Sequence, residues 1–215
     1  MNNANIKSPG RPRGDSDSRN LILDAAEICF GTDGYGTGIR AISRRAGVNT
    51  ATIYHHFGNK EGLFREVLRR KFTPLAQALE TMAENCANAP IPSTGDPLEI
   101  HFRNVAILFG NDPWIRRLML TEVILSNGPA REFFIEEIIS RIRGTMMQLI
   151  ECGIRTGRYR SDIDPVLTLI SVASLAIAPN LLKELMENVI GQSMNESFMM
   201  KLAGHNADML ANGLR

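Results

Sequence analysis

Residues 37–60 read TGIRAISRRAGVNTATIYHHFGNK, and this stretch decides the fold. Thr37 suits a helix N-cap, and Ile39, Ile42 and Ala46 recur at helical spacing, which predicts a short helix with one apolar face over 38–46. Gly47 ends that helix by permitting a left-handed residue, Val48 plugs the corner, and Asn49 caps a second helix starting at Thr50. In the second helix Ile53 and Phe57 lie four apart and face inward, leaving Thr50, Ala51, Thr52, Tyr54, His55 and His56 over the outward side. Two short helices meeting at a tight turn make a helix-turn-helix, although the same spacing also suits an αα-hairpin with no nucleic-acid role.

The outward residues fit a major groove. Thr hydroxyls bond base edges or phosphates, Ala and Thr methyls touch thymine methyls, and Tyr54 and His55 carry flat faces with polar tips. Thr37, Arg40, Arg44 or Arg45, and Lys60 complete the expected surface, the cations lying near the backbone, where charge gives affinity without sequence information.

The run AGVNTATIYHHFGNKEGLF, preceded by ILDAAEICFGTDGYGTGIRAIS, resembles the DNA-binding domain of the TetR family of bacterial transcriptional regulators. The resemblance spans about Arg19 to Phe72, roughly a quarter of the chain, and rests on Ala25, Ala26, Phe30, Gly34, Tyr35, Thr37, Ile42, Ala46, Gly47, Val48, Tyr54, His56, Phe57, Lys60 and Leu63. Ser43 stands where the family usually has Ala, and Gly38 where it often has Ser; both are small. The resemblance implies an operator-binding protein, more often a repressor than an activator. It also implies a small-molecule effector site in the C-terminal domain and a homodimer in which the last two major helices pair with the partner's.

The 215 residues are 44% apolar, ample for a packed core. The net charge of +1 conceals an asymmetry: residues 1–71 carry 12 Lys and Arg against 7 Asp and Glu, residues 72–215 carry 12 against 16. The cationic part is the part with the helix-turn-helix, as a polyanion partner at one end requires. Cys29, Cys86 and Cys152 are odd in number and widely spaced, with no second Cys or His at ligand distance, so neither a metal site nor a disulfide framework is expected. Cys29 reads as a buried thiol, with a redox sensor as the alternative. No stretch has the length of a membrane span and no signal-peptide pattern opens the chain, so the expected location is the cytoplasm, with no membrane partner.

Residues 1–17 offer almost nothing to bury and read as a flexible basic arm. Within it Pro9-Gly10-Arg11-Pro12-Arg13-Gly14 is AT-hook-like: Arg11 and Arg13 either enter an A·T minor groove or form a solvated tail. The DNA-binding domain is expected over 18–71, with Ser18 capping its first helix, and a helical effector-binding and dimerisation domain over 72–215. Asn59 caps a long helix to about Cys86, which Pro74 should kink. Asp96-Pro97, Asp112-Pro113, Gly128-Pro129 and Asp164-Pro165 each open a helix, because Asp is a strong cap and Pro is tolerated only in the first turn. The segments run about 97–110, 113–126, 129–156 and 165–190, with a last one at 194–212. No strand alternation is evident, so the fold class is all-α.

On helix 113–126, Trp114, Leu118, Glu122 and Leu125 share one stripe, and a buried Glu must find a partner. Glu122 either lines a ligand cavity or pairs with Arg143 or Arg155. His101, Phe102, Val105, Phe109 and Leu118, with Met146, Met147 and Ile150, either wall an apolar pocket or are plain core. Helix 165–190 opens apolar nearly all round and must be covered on several sides. Leu167, Ile170, Ser174 and Leu175, with Phe198, Leu202 and Met209, are the expected dimer residues. His55 and His56 are adjacent, so they point about 100° apart and cannot form an i, i+4 metal pair. No nucleophile elbow, Walker loop or dinucleotide fingerprint occurs, and no cofactor, metal or catalytic residue is expected. Two other readings stay open: a DNA-binding architectural protein without effector, and an enzyme acting on a hydrophobic small molecule.

Overall fold

The computed structural model describes residues 15–88, 96–111 and 113–214, and every regular element among them is helical. In chain order these are α1 (Asp15–Asp33), a 3-10 turn (Gly34–Gly36), α2 (Ile39–Ala46), α3 (Thr50–Phe57), α4 (Lys60–Asn88), α5 (Pro97–Asn111) and α6 (Pro113–Leu118). After them come α7 (Pro129–Phe133), α8 (Ser140–Arg155), α9 (Pro165–Leu181), α10 (Lys183–Ile190) and α11 (Glu196–Leu214). Arg11 and Arg13 fall outside the described residues; Asp15 to Asp17, expected in the arm, already belong to α1.

Asp96, Asp164 and Asn59 cap their helices as the sequence requires, whereas Ser18, expected to cap the first helix, lies inside α1 and Asp112 falls outside the described residues. Asp96 accepts the Leu98 N–H at 2.9 Å, and Asp164 accepts those of Val166 and Leu167 at 2.7 and 3.1 Å. Asn59 accepts the Gly62 N–H at 2.7 Å in the first turn of α4, which continues through Pro74. The segment expected as one helix over 165–190 is two: α9 ends at Leu181, and α10 leaves it at 75°.

A larger departure lies in the middle of the chain. Helix α6 passes into a π-helical turn over Met119–Ile124, and α7 passes through another, Phe134–Ile139, into α8. Each wider turn rotates the succeeding residues around the axis, because the hydrogen bond now closes at i+5. The buried stripe is therefore Ile115, Leu118, Met119 and Val123, while Leu125 is 80% exposed and Glu122 swings off the core face. The expected Trp114–Leu118–Glu122–Leu125 stripe requires a regular α period and does not form, because the period widens at Met119.

Helices α1 to α3 pack on the first half of α4 around Ile22, Ala26, Phe30, Ile42, Ile53 and Phe64, all nearly solvent-free. Burying each large side chain contributes roughly 1.5–3 kcal/mol. Phe30 and Tyr35 meet Phe64 edge-on, with centroids 5.0 and 4.9 Å away. Ion pairs join α1 to α4 along their flanks: Arg19–Glu66, Arg70–Asp24 at 2.7 Å and Lys71–Glu27 at 2.8 Å. The second half of α4 packs with α5 and α8 in the C-terminal domain, where α5 lies between α4, α9 and α11. One helix thus packs both against the helix-turn-helix elements and against the helices that follow it.

Candidate nucleic-acid interface and apolar cavity

The turn between α2 and α3 is built by backbone chemistry that the sequence announces. Gly47 is left-handed at φ 66°, a conformation a side chain would resist, and its N–H returns to the end of α2. Ser43 Oγ donates to the Val48 carbonyl at 3.0 Å, holding the corner, and Asn49 caps α3 by accepting the Ala51 N–H at 2.9 Å. The start of α2 differs from expectation. Its N-cap is Gly38, without a side-chain bond, while Thr37 is buried and donates its hydroxyl to the Cys29 carbonyl at 3.0 Å. Thr37 therefore positions α2 against α1 and has no hydroxyl to offer DNA.

Along α3, Ile53 and Phe57 are buried, Ala51, Tyr54 and His55 are exposed, and Thr50 and Thr52 are partly exposed. Arg40, Arg44 and Arg45 stand exposed on α2 beside this face, and none makes an ion pair among the described residues. His56 is not a groove-facing residue: its side chain is 7% exposed, with Nε2 lying 3.4 Å from Asp15 at the start of α1. Lys60 places its ammonium 4.5 Å from the centre of the Tyr35 ring, so that cation is anchored at the head of α4 by its attraction to the ring face.

A cavity of about 270 Å³ lies in the C-terminal domain. Phe72 and Leu75 of α4, His101, Val105, Leu108 and Phe109 of α5, and Met119 after α6 form its inner wall. Phe134, Ile139, Ile142, Arg143 and Met146 close one side, and Leu169, Ile170, Val172, Ala173 and Ile177 of α9 the other. The inner residues are mostly buried, whereas Arg143 and Ile170 are exposed, so the mouth opens between α8 and α9. His101 and Arg143 are the two ionisable groups on its walls. His101 is held neutral, its pKa pushed down to about 4 by burial, and its Nδ1 has no hydrogen-bond partner among the described residues.

Of the expected pocket residues, His101, Val105, Phe109 and Met146 meet at this cavity. Phe102 borders a narrow crevice toward α9 and α11, Leu118 and Ile150 are core, and Met147 lies off the wall. Glu122 takes neither expected role: Oε1 faces the Tyr35 N–H at 3.4 Å, at the edge of hydrogen-bonding range and remote in sequence by 87 residues. The π-turn is what turned it toward the DNA-binding domain. Of its expected partners, Arg143 is at the cavity mouth instead and Arg155 is exposed at the end of α8, and no periodicity could have shown this.

Two structures connect the cavity with the helix-turn-helix. The first is the α6 segment: Met119 lines the cavity, Trp114 packs on Gly31, and Arg117 bonds the Thr32 carbonyl. A Cβ added at Gly31 would lie 2.7 Å from the Trp114 Cβ, so glycine is what allows this approach. The second is α4, in which Arg69 forks onto both carboxylate oxygens of Glu137 at 2.8 and 2.7 Å, and Arg141 reaches Glu80. Hydrogen bonding to Arg141 holds the Glu80 carboxyl below its ordinary pKa. A disulfide joins Cys86, in the last turns of α4, to Cys152 of α8, correcting the expectation of unpaired cysteines. The sulfurs lie 66 residues apart in sequence, a spacing that carries no pairing signal. Cys29 is the buried free thiol, its pKa raised by that burial.

Helices α9 and α10, with Leu182 between them, expose Val166, Leu167, Ile170, Leu182, Leu185 and Val189, the last at 74%. Of the expected dimer residues Leu167, Ile170, Ser174 and Met209 are exposed and Phe198 and Leu202 are partly so. Leu175 is likewise partly exposed; it borders the crevice that Phe102 lines, and its carbonyl accepts from Asn206 Nδ2 at 3.2 Å. Among the described residues no single helix is long and apolar enough to cross a membrane, and no cluster of His, Cys, Asp and Glu could hold a metal ion.

Residues 22–67 match the family model described as "Bacterial regulatory proteins, tetR family". The transcriptional repressor KstR2 of Rhodococcus jostii is 28% identical over 160 residues, covering 70% of this chain and 72% of the repressor. The regulatory protein RaaS of Mycobacterium tuberculosis is 55% identical over 42 residues, 20% of each chain. The fold is similar to that of the transcriptional regulator FadR from Bacillus subtilis in complex with stearoyl-CoA, with a TM-score of 0.72 and 19% identity, over 91% of this chain and 99% of that one. A SmeT–triclosan complex aligns with a TM-score of 0.68 and 21% identity over 92% of each chain.

Proposed function

Since this chain belongs to the TetR family of bacterial transcriptional regulators, we propose that it represses transcription by binding a palindromic operator as a homodimer, and that a small apolar or amphipathic effector releases it. The observation that carries the reading is that the same helices wall the cavity and hold the reading head. Phe72 and Leu75 line the cavity from α4, whose first residue, Lys60, follows α3 after Gly58 and Asn59. Met119 lines it from the segment whose Trp114 and Glu122 rest on Gly31 and Tyr35. An occupant that displaces Met119 or Phe72 moves the supports of α3.

Small movements suffice. Half-sites in successive major grooves lie about 34 Å apart, so a shift of a few ångströms in the separation of two recognition helices disengages one head. A coupling of about 1–3 kcal/mol already changes operator affinity roughly 5- to 150-fold. In this reading Ala51, Thr52, Tyr54 and His55 meet base edges, and Arg40, Arg44, Arg45 and Lys60 meet phosphates. Arg11 and Arg13 extend the contact into a flanking groove. The apolar strip of α9 and α10 seats the second protomer, and the protein works in the cytoplasm, on DNA, without a catalytic step. The relatives support the effector: a stearoyl-CoA complex and a triclosan complex share this fold.

The test begins with the full-length chain and random duplex DNA, from which selection should return a two-fold symmetric site. Calorimetric titration of a ligand into free and operator-bound dimer must then show reciprocity, the operator weakening the ligand by the factor by which the ligand weakens the operator. Equal ligand affinity in the two states would refute release by effector and leave an operator-binding protein whose C-terminal domain only dimerises.

A further inference from the structure

Resting on the effector reading above, we infer that the cavity is built for an anionic amphiphile: an apolar chain among α4, α5, α8 and α9, and an acidic oxygen group at the mouth, held by Arg143. Apart from His101 and Arg143 every wall residue is apolar, and no acidic side chain lines the space. A cationic head group would find no counter-charge, and a polar body would lose its water with almost nothing to replace it. Arg143 is exposed and makes no ion pair among the described residues, although it stands one turn from Ile139 and Met146, both on the wall. Its guanidinium is a planar fork suited to carboxylate or phosphate oxygens, and at the rim it can take them without being desolvated itself. His101 is neutral at pH 7 because burial lowers its pKa to about 4, so it adds no second positive charge to compete for the head.

Size sharpens the class. The space, about 270 Å³, lies just below the range of roughly 300–1,000 Å³ usual for ligand pockets. It admits the chain and leaves the head outside, where Arg143 is. The ligand is therefore a medium-length alkyl or acyl chain with one terminal anion, which a carboxylate or a phosphate could supply.

Four probes with one tail separate the possibilities: decanoate, decyl phosphate, decanol and decyltrimethylammonium, titrated by calorimetry into the oxidised full-length dimer at pH 7. At least one anion should bind about 10- to 100-fold tighter than decanol, the worth of a charge-assisted hydrogen bond, and the cation should bind weakest. Whether decanoate or decyl phosphate leads identifies the head group. Arg143→Met keeps the apolar stem and should abolish the anion's advantage, bringing decanoate and decyl phosphate down to the affinity of decanol. Equal affinity for anion and alcohol, an advantage that survives Arg143→Met, or binding by none of the four would overturn the inference. Operator release is read in parallel by fluorescence anisotropy. Arg143-dependent binding without release upholds the ligand class and sinks the effector reading; release by decanol as readily as by decanoate does the reverse.

Discussion

Reducing the Cys86–Cys152 disulfide should lower the stability of the C-terminal domain by an amount set by chain length. The bond closes a span of 66 residues from α4 to α8. In the loop-entropy account a 15-residue loop is worth about 3 kcal/mol and a 100-residue loop about 4.7, so this one is worth about 4 kcal/mol. With an m-value near 2–3 kcal/mol per M, the urea midpoint of the reduced protein should fall by roughly 1.5–2 M. The assay is equilibrium unfolding followed by circular dichroism with and without dithiothreitol, at fixed protein concentration because a dimer's stability depends on it. Cys86→Ala should unfold at the midpoint of the reduced wild type and be indifferent to dithiothreitol; Cys29→Ala should retain the full response. Coincident midpoints for oxidised and reduced wild type, with the bond verified by mass, would refute the argument, because the reduced chain would then have no extra freedom to lose.

Stability should also fall in mild acid, and His101 should account for part of it. Its pKa is near 4 in the folded chain against the ordinary histidine value of 6.5, so the unfolded chain takes up the proton first. The stabilisation is complete above pH 6.5 and lost as pH falls toward 4. At about 1.4 kcal/mol per unit the loss is roughly 3 kcal/mol, and in urea unfolding at several pH values His101→Phe should flatten the profile by that much. Gly31→Ala inserts a methyl into the Trp114 contact, where its Cβ would lie 2.7 Å from the Trp114 Cβ. Overpacking of about 1–3 kcal/mol should lower the thermal midpoint and, through α6, change operator affinity in an anisotropy titration. In salt titrations of operator binding, Arg44→Ala should weaken all sequences alike and lower the slope of log K against log salt by about one, whereas Tyr54→Ala should alter base preference. Leu167→Glu, at a position 64% exposed, should leave the fold intact yet give monomers in sedimentation, with operator affinity lost because palindromic half-sites need two heads.

What the sequence discloses is local chemistry. Gly47, Asn49, Asn59, Asp96 and Asp164 act within three residues of themselves, so their caps and turns are legible without tertiary knowledge. The cavity is less so, since it is assembled from several helices plus two π-turns, and periodicity cannot say which buried stripes face a gap and which face one another. His101, Val105, Phe109 and Met146 are recoverable as apolar or amphipathic positions, whereas Phe72, on the long helix that Asn59 caps, and Arg143, expected only as a partner for Glu122, are not. Glu122 shows the general difficulty. One i+5 turn moves a carboxylate from a projected core stripe to the Tyr35 amide, and nothing in the residues 119–124 marks where the period changes. His56 and Thr37 fail for a related reason: both sit on exposed-looking short helices or turns, yet α1 covers them.

Ile170 belongs at once to the cavity rim and to the bare apolar strip of α9. In the dimer proposed above, seated along that strip, the α9 side of the mouth lies against the seam between subunits while Arg143 on α8 stays open. Exchange would then keep the tempo of subunit breathing as well as that of diffusion, and a bound molecule would outlast its own disappearance from the surroundings. The regulator would respond to loss of signal with a built-in delay, a short memory set by how tightly two copies of one chain hold each other.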